Sequence, residues 1–234
     1  MLIRADLHVH TIYSSDSLIT PQDLVYYSKK RGLNACAVTD HNYLDSAYKI
    51  ARETDFLIIP GMEVSSADGH IVALNVHELI PQGLSAVETV KRIHAVGGVA
   101  IACHPYVFFK GCLRDNVCEA FDAIEVINAR AFPFKSSVKK AEAAAECYKL
   151  SRVAGTDSHY GPQIGYAYTE IEVSEPTVEA IAKAIVDGHC TPHGQPVPIA
   201  TNLNLTVQRL KRLVKKFAFA NRDSRFPNCI RQNC

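Results

Sequence analysis

Residues 6–16, DLHVHTIYSSD, close the first apolar run of the chain and carry two histidines one residue apart between two aspartates. Side chains alternate along an extended strand, so His8 and His10 point to one side and could grip a single cation. A histidine at such a place is more often a hydrogen-bonded core residue than a ligand. The choice between the two readings rests on what the other strand ends bring.

Short apolar runs recur at 2–7, 34–39, 56–60, 70–76, 98–102, 122–127, 152–155 and 168–173. Several are nearly continuous Val, Ile and Ala, the composition of strands covered on both faces of a parallel sheet. Helical patterns lie between them. Thr20-Pro21 supplies an N-cap and a first helical residue, and Gly32 ends that helix. Ser85 to Glu88 forms a capping box for a helix ending at Gly97-Gly98. Residues 136–150 are rich in strong helix formers, and a further helix starts at Pro176 and stops near Gly188. Leu203, Val207, Leu210, Val214 and Phe217 recur at three- and four-residue steps, giving one apolar stripe. Some seven β–α steps predict an α/β fold closed into a small, TIM-barrel-like (β/α) barrel. The expected domain is 1–220, with 203–219 a basic amphipathic C-terminal helix and 221–234 a mobile tail.

Composition excludes several classes. With 47% hydrophobic and 21% charged residues and a formal net charge of +1, the chain reads as an ordinary globular protein. No stretch reaches the roughly 18 apolar residues of a membrane span. Arg4 and Asp6 interrupt the early apolar run, which argues against a signal peptide and for the cytoplasm. The eight cysteines lack C-x-x-C spacing, which argues against a zinc knuckle or a secreted disulfide frame, and Cys36 and Cys103 read as small buried hydrophobes. From Gln208 onward eight Lys/Arg face one acid, Asp223, so a tail of +7 adjoins a body of −6. That is either a solvated helix face or a patch for a polyanion such as RNA or DNA.

In a parallel α/β fold, functional side chains gather at the C-terminal ends of strands. Those ends carry His8 and His10, Asp40-His41, Glu63, His104, and Asp157 with His159; His70 starts a run and Asp16 follows the first strand. Imidazole or carboxylate at five strand ends is hard to credit to chance. Such ligands without thiolate suit zinc, manganese or iron. Six histidines and three carboxylates exceed one ion and suffice for two or three if a carboxylate bridges. Clustered ions polarise a phosphoryl oxygen, generate hydroxide at neutral pH and stabilise the leaving oxygen. Arg130, just past DAIEVI, is the best candidate to grip phosphate, with Lys110, Arg114 and Lys135 weaker ones on neighbouring loops.

The ordered set DLHVHTIYSSD, AVTDHN, PGMEVSS with GHIVAL, ACHPY and GTDSH resembles the PHP (polymerase and histidinol phosphatase) superfamily of metal-dependent phosphoesterases over residues 6–159. The resemblance implies a distorted seven-stranded (β/α) barrel. It assigns His8, His10, Glu63 and Asp157 to one divalent ion. Glu63 bridges to a second, completed by His70 and His104, and Asp16, His41 and His159 hold a third. Glu63 and Asp157 then act in catalysis through a metal-bound hydroxide. The resemblance also sets Asn128 near the site. Ser17 stands where many members have glycine, a departure affecting the turn. His77, in ALNVHEL, competes with His70, and the GHIVAL pattern favours His70. Asp40 and Asp6 are expected to support neighbours rather than bind metal. His94, His189 and His193 have no assigned role.

The implied activity is hydrolysis of phosphate mono- or diesters. About twenty residues separate His104 from the next strand, which leaves an open pocket roofed at most by PYVFFKGCLRDN. An open rim and a basic C-terminal helix favour a nucleotide or oligonucleotide end, with short nucleic-acid contacts through that helix. A histidinol-phosphate-type small-molecule phosphatase is the alternative. From another class, a non-catalytic RNA-associated scaffold could use the same barrel, although a scaffold would be free to lose ligands.

Overall fold

Nine strands, two more than the seven expected, form one sheet curled into a nearly closed barrel. A computed structural model describes residues 1–108 and 111–223, with the side chains of the last helix described as far as Val214. In chain order the elements are β1 (Leu2–Asp6), α1 (Pro21–Lys30), β2 (Ala35–Val38), α2 (Asp45–Glu53), β3 (Leu57–Ser65), β4 (His70–Leu74), α3 (Ala86–Ala95), β5 (Val99–Ala102), β6 (Ala123–Asn128), α4 (Phe134–Tyr148), β7 (Ser151–Gly155), β8 (Ala167–Glu172), α5 (Val178–Val186), β9 (Cys190–Gly194) and α6 (Ile199–Asp223). Residues Met1–Val197 form one compact unit, and α6 belongs to a second that starts at Pro198. Residues 221–223 of the expected tail are helical, and 224–234 lie outside the described residues.

The strand order is β7-β6-β5-β4-β3-β2-β1-β8-β9. The β1–β2, β2–β3, β5–β6 and β6–β7 pairs are parallel, as the apolar runs predict. The sheet is nevertheless mixed, because β4 runs against both β3 and β5, and β8 runs against both β1 and β9. Continuous Val/Ile runs report burial on both faces and say nothing about direction. At the seam, threonine hydroxyls replace a regular ladder. Thr169 Oγ1 on β8 accepts from Ala154 N on β7 at 2.8 Å and donates to Ala154 O at 3.0 Å. Thr156 Oγ1 treats Ala167 in the same way at 3.1 and 3.0 Å.

Three apolar layers hold this shape. Inward residues of the strands, among them Ala5, Ala37, Ile59, Val72, Ile101 and Val153, pack with Ile181 and Ile185 of α5, which therefore closes the floor of the barrel. Outside, α3 and α4 cover β3 to β6, while α1 and α2 cover β2 and β3. The α1 box is closed by Asp23 in place of Glu: Thr20 Oγ1 accepts from Asp23 N at 3.0 Å, and the Asp23 carboxylate accepts from Thr20 N at 3.3 Å. Two elements have no counterpart in the sequence reading. Helix α2 starts at a Leu44 N-cap with no side-chain bond, and β9 (CTPHG) contains a proline and a glycine and sits at the sheet edge, where both are tolerated. Among the described residues no helix is long and apolar enough to cross a membrane. The described cysteines are all free.

Candidate metal centre

The strand ends converge on Glu63, a buried carboxylate near the end of β3. Its Oε1 lies 2.9 Å from His70 Nδ1 and 2.8 Å from His104 Nε2. Its Oε2 lies 2.9 Å from His41 Nδ1, 3.2 Å from His10 Nε2 and 3.6 Å from His8 Nε2. Five imidazoles thus surround one carboxylate. Asp157 closes the inner side, with Oδ1 3.5 Å from His10 Nε2 and 3.9 Å from His8 Nε2. On the outer side Asp16 Oδ2 lies 2.9 Å from His159 Nε2 and 3.7 Å from His41 Nε2. His70 reaches the centre because β4 folds back on β3 with Ser65 opposite His70. The structure therefore brings all nine expected residues together. His77 stands away from them, exposed beside Glu78.

The backbone is bent to serve this convergence. His104 (φ +32°) and Asp157 (φ +58°) both sit in the left-handed region, which costs a residue with a Cβ about 1–3 kcal/mol unless its surroundings hold it there. At Gly155 a Cβ would meet Glu125 Oε1 and His8 Cβ, each at 2.6 Å, so only glycine lets the end of β7 approach β1. Gly111 (φ +90°) lies flat on the His70 ring, and its carbonyl accepts from His70 N at 2.8 Å.

Behind the candidate ligands stands a set of carboxylates. Asp6 accepts from the backbone N–H of Thr156 (2.8 Å), Gly165 (3.0 Å) and His8 (3.3 Å), tying β1 to the segment that carries Asp157. Burial pushes its pKa up to about 6 against those three bonds. Asp40 accepts from Thr11 N and Oγ1, Ser14 Oγ and Ser46 Oγ at 2.6–2.7 Å, and Ser14 Oγ in turn lies 3.4 Å from His10 Nδ1. Sequence reasoning missed Glu125. Buried in β6, it accepts from His104 N (2.8 Å) and Asn128 Nδ2 (2.9 Å), and its other oxygen sits 3.2 Å from His8 Nδ1. An acid inside the apolar run DAIEVI was the available signal.

Arg130 and Asn128 line the same cleft of about 250 Å³ with Asp16, His41, Glu63 and His70. Arg130 Nη1 bonds Asp157 O at 2.9 Å, Asp157 Oδ1 at 3.3 Å and His159 Nδ1 at 2.5 Å. The Asn128 amide is used at both ends, by Glu125 and by Arg130 N at 2.9 Å. Arg114 lines a neighbouring pocket with Phe108 and Lys140, Lys135 is exposed, and Lys110 lies outside the described residues. His94 pairs with Asp122 at 2.8 Å and His193 with Glu170 at 3.1 Å, away from Glu63, and His189 is exposed.

The electrostatics match the geometry. Burial works to raise the Glu63 and Asp157 pKa values, but His8 and ring N–H groups beside Glu63, and Arg130 and His8 beside Asp157, hold both carboxyls well below the usual range. Burial lowers His41, yet the Asp16 and Glu63 carboxylates raise it to about 10. Burial and the His10 charge push His159 down to about 4. The donor set fits divalent ions. His8 Nε2 and His10 Nε2 face each other at 3.2 Å. The donor atoms of His8–His10–Glu63, His41–Glu63–His70 and His10–His41–His159 each lie within 4.8 Å of one another. Ligands at roughly 2.0–2.2 Å from a common ion leave spacings of that order. A fourth group brings Cys103 to His8 and His104.

Known proteins resemble this chain in sequence and in fold. The PHP domain model matches residues 6–87 and the PHP-associated model residues 135–190. The uncharacterized protein MJ1587 of Methanocaldococcus jannaschii is 36% identical over 141 residues, 54% of this chain and 82% of that one. A 5'-3' exoribonuclease of Haemophilus influenzae is 31% identical over 108 residues, 43% of this chain, which spans only 39% of that protein. A crystal structure from Bacteroides vulgatus, of a two-domain protein containing a predicted PHP-like metal-dependent phosphoesterase, superposes with a TM-score of 0.69 at 17% identity. It covers 83% of this chain and 65% of its own. With its strand ends gathered on Glu63 and both models falling on the barrel, this chain belongs to the PHP family.

Proposed function

We propose that the chain is a phosphoesterase that hydrolyses phosphate mono- or diesters, with a nucleotide or an oligonucleotide end as substrate. The observation that carries this reading is the position of Glu63, whose two oxygens lie 2.8–3.6 Å from five imidazoles. In this reading His8, His10, Glu63 and Asp157 hold one ion, Glu63, His70 and His104 a second, and Asp16, His41 and His159 a third. Zinc, manganese or iron suit such donors. When bound, such ions supply Lewis acidity toward a phosphoryl oxygen and lower the pKa of water.

The rest of the work falls to the chain. Arg130 presents its guanidinium at the cleft wall, and its bonds to Asp157 and His159 run through Nη1, which leaves the remaining N–H groups for phosphate oxygens. Asn128 fixes the Arg130 backbone, and Glu125 fixes Asn128 and His8. The similar exoribonuclease supports a nucleic-acid substrate. So does the basic composition from Gln208 onward, where eight Lys/Arg stand against one acid. A small-molecule phosphatase remains the second reading, since about 250 Å³ suffices for a phosphate and a small organic group.

The test is turnover under added manganese with histidinol phosphate, nucleoside bisphosphates and short 5'-phosphorylated oligonucleotides, alongside metal analysis. We expect nucleotide substrates to lead and a chelator to abolish the activity. Hydrolysis of histidinol phosphate alone selects the small-molecule reading. A protein with neither metal nor turnover of any ester is a scaffold.

A further inference from the structure

The two loops that feed the outer side of the centre each carry an exposed or half-exposed tyrosine that the reading above leaves unused. Tyr13 lies between His10 and Asp16, and Tyr43 follows His41 by two residues. Their rings stack with centroids 6.0 Å apart and planes 23° from parallel. Tyr13 rests on the apolar layer under α1 and α2, whereas Tyr43 keeps 39% of its surface in solvent. Beside them is a pocket of about 510 Å³, lined also by Tyr48, Lys49 and Arg52. Lys49 Nζ lies 5.4 Å from the centre of the Tyr13 ring. Tyr48 is already committed, its hydroxyl donating to Val76 O at 2.9 Å.

A stacked aromatic pair with one ring partly in solvent, beside two cations and one acid, Asp45, of the same helix, can hold a nucleobase by its π-face and the adjoining backbone by the net positive charge. Core sealing accounts for Tyr13. It does not account for the 39% of Tyr43 that stays in solvent beside the pocket. Position decides which base it would take. The Tyr43 Cα lies within ~7 Å of the His41 Cα along the chain, because two residues span no more than that. A nucleoside attached to a phosphate at the histidine centre can span such a distance.

We propose that the Tyr13–Tyr43 stack, with Lys49 and Arg52, is a nucleobase platform that seats the nucleoside next to the phosphate held at the Glu63 centre. This rests on the phosphoesterase reading and narrows its substrate to one bearing an unpaired base. The platform reads no base edge, so it accepts purine and pyrimidine alike and takes single strands in preference to duplex, whose bases are already stacked.

The experiment uses the metal-loaded full chain and a 5'-phosphorylated trinucleotide with phosphorothioate linkages and a terminal 2-aminopurine, so that binding is read without turnover. Stacking on a tyrosine quenches 2-aminopurine. We expect quenching on binding, retained in Tyr43→Phe and lost in Tyr43→Leu, with the Leu variant binding roughly tenfold more weakly. Equal quenching in the Phe and Leu variants, or none in the parent chain, overturns the platform. The two readings fail separately. Quenching that depends on the ring, in a protein that hydrolyses no ester, leaves the platform standing and removes the phosphoesterase. Hydrolysis of nucleotides with indistinguishable Phe and Leu variants does the reverse.

Discussion

The inner and outer sides of the candidate metal centre are built from the same residue types and differ in how they are held. Inside, His8, His10 and Glu63 have at most 2% of their side chains exposed, and Asp6 and Glu125 brace them from behind. Outside, Asp16, His41 and His70 are 41%, 31% and 27% exposed and come from loops or from the first residue of a strand. A buried charge is costly unless paired and hydrogen-bonded, so the inner side must be satisfied as a unit. The outer side has solvent as a partner and can lose a member at lower cost. Position and exchange of ions should therefore be set on the outer side, and integrity of the site on the inner.

The largest break in this comparison is Glu63→Ala, which touches both sides. It should remove two ion equivalents together and cut kcat/KM by more than the roughly 10–100-fold typical of supporting partners. Metal analysis of the purified variant checks this, and loss of a single equivalent would falsify the bridging assignment. Next is Glu125→Ala, which strips His8 and the His104 backbone of their partner without removing a ligand. Metal affinity or activity should fall roughly 10–100-fold with secondary structure intact by circular dichroism. An effect below about threefold would show that the inner side does not depend on its bracing. The smallest is Asp16→Ala. It should release one ion while costing the fold about 1–3 kcal/mol at most, the loss of one partner of the buried His159. Thermal unfolding with and without a chelator measures this; a collapse as severe as that of Glu63→Ala would erase the distinction between the sides.

The same contrast explains what could be read from the sequence. The candidate ligands at strand ends were legible because each stands where an apolar run stops: His8 and His10 after LIRAD, Glu63 in PGMEVSS, His104 after VAIAC, Asp157 after RVAG. The existence of most strands and of α1, α3, α4 and α5 followed from periodicity and capping residues. Glu125 was not legible as a partner because it sits inside a run whose hydrophobic signal drowns one acid, and its role depends on β6 lying beside β5 and β7. Strand direction was lost for a similar reason. Whether β4 runs with β3 or against it depends on the short turn 66–69 and on Gly69 (φ +147°), not on HIVAL itself. Helix α2 escaped because Leu44 supplies no cap, and β9 because CTPHG has the composition of a turn.

His104 and Asp157 carry a further consequence. Both hold left-handed backbone that glycine would adopt without strain, and neither position is glycine. Glycine at either position would relieve about 1–3 kcal/mol of backbone strain, but it would also take His104 from the buried Glu63 or Asp157 from Arg130, so the strain is held in place by the pairs it makes possible. Efforts to make the protein more robust by relaxing its backbone would lead straight to these two residues, and each relaxed variant would give up a candidate ligand together with the pair that holds it.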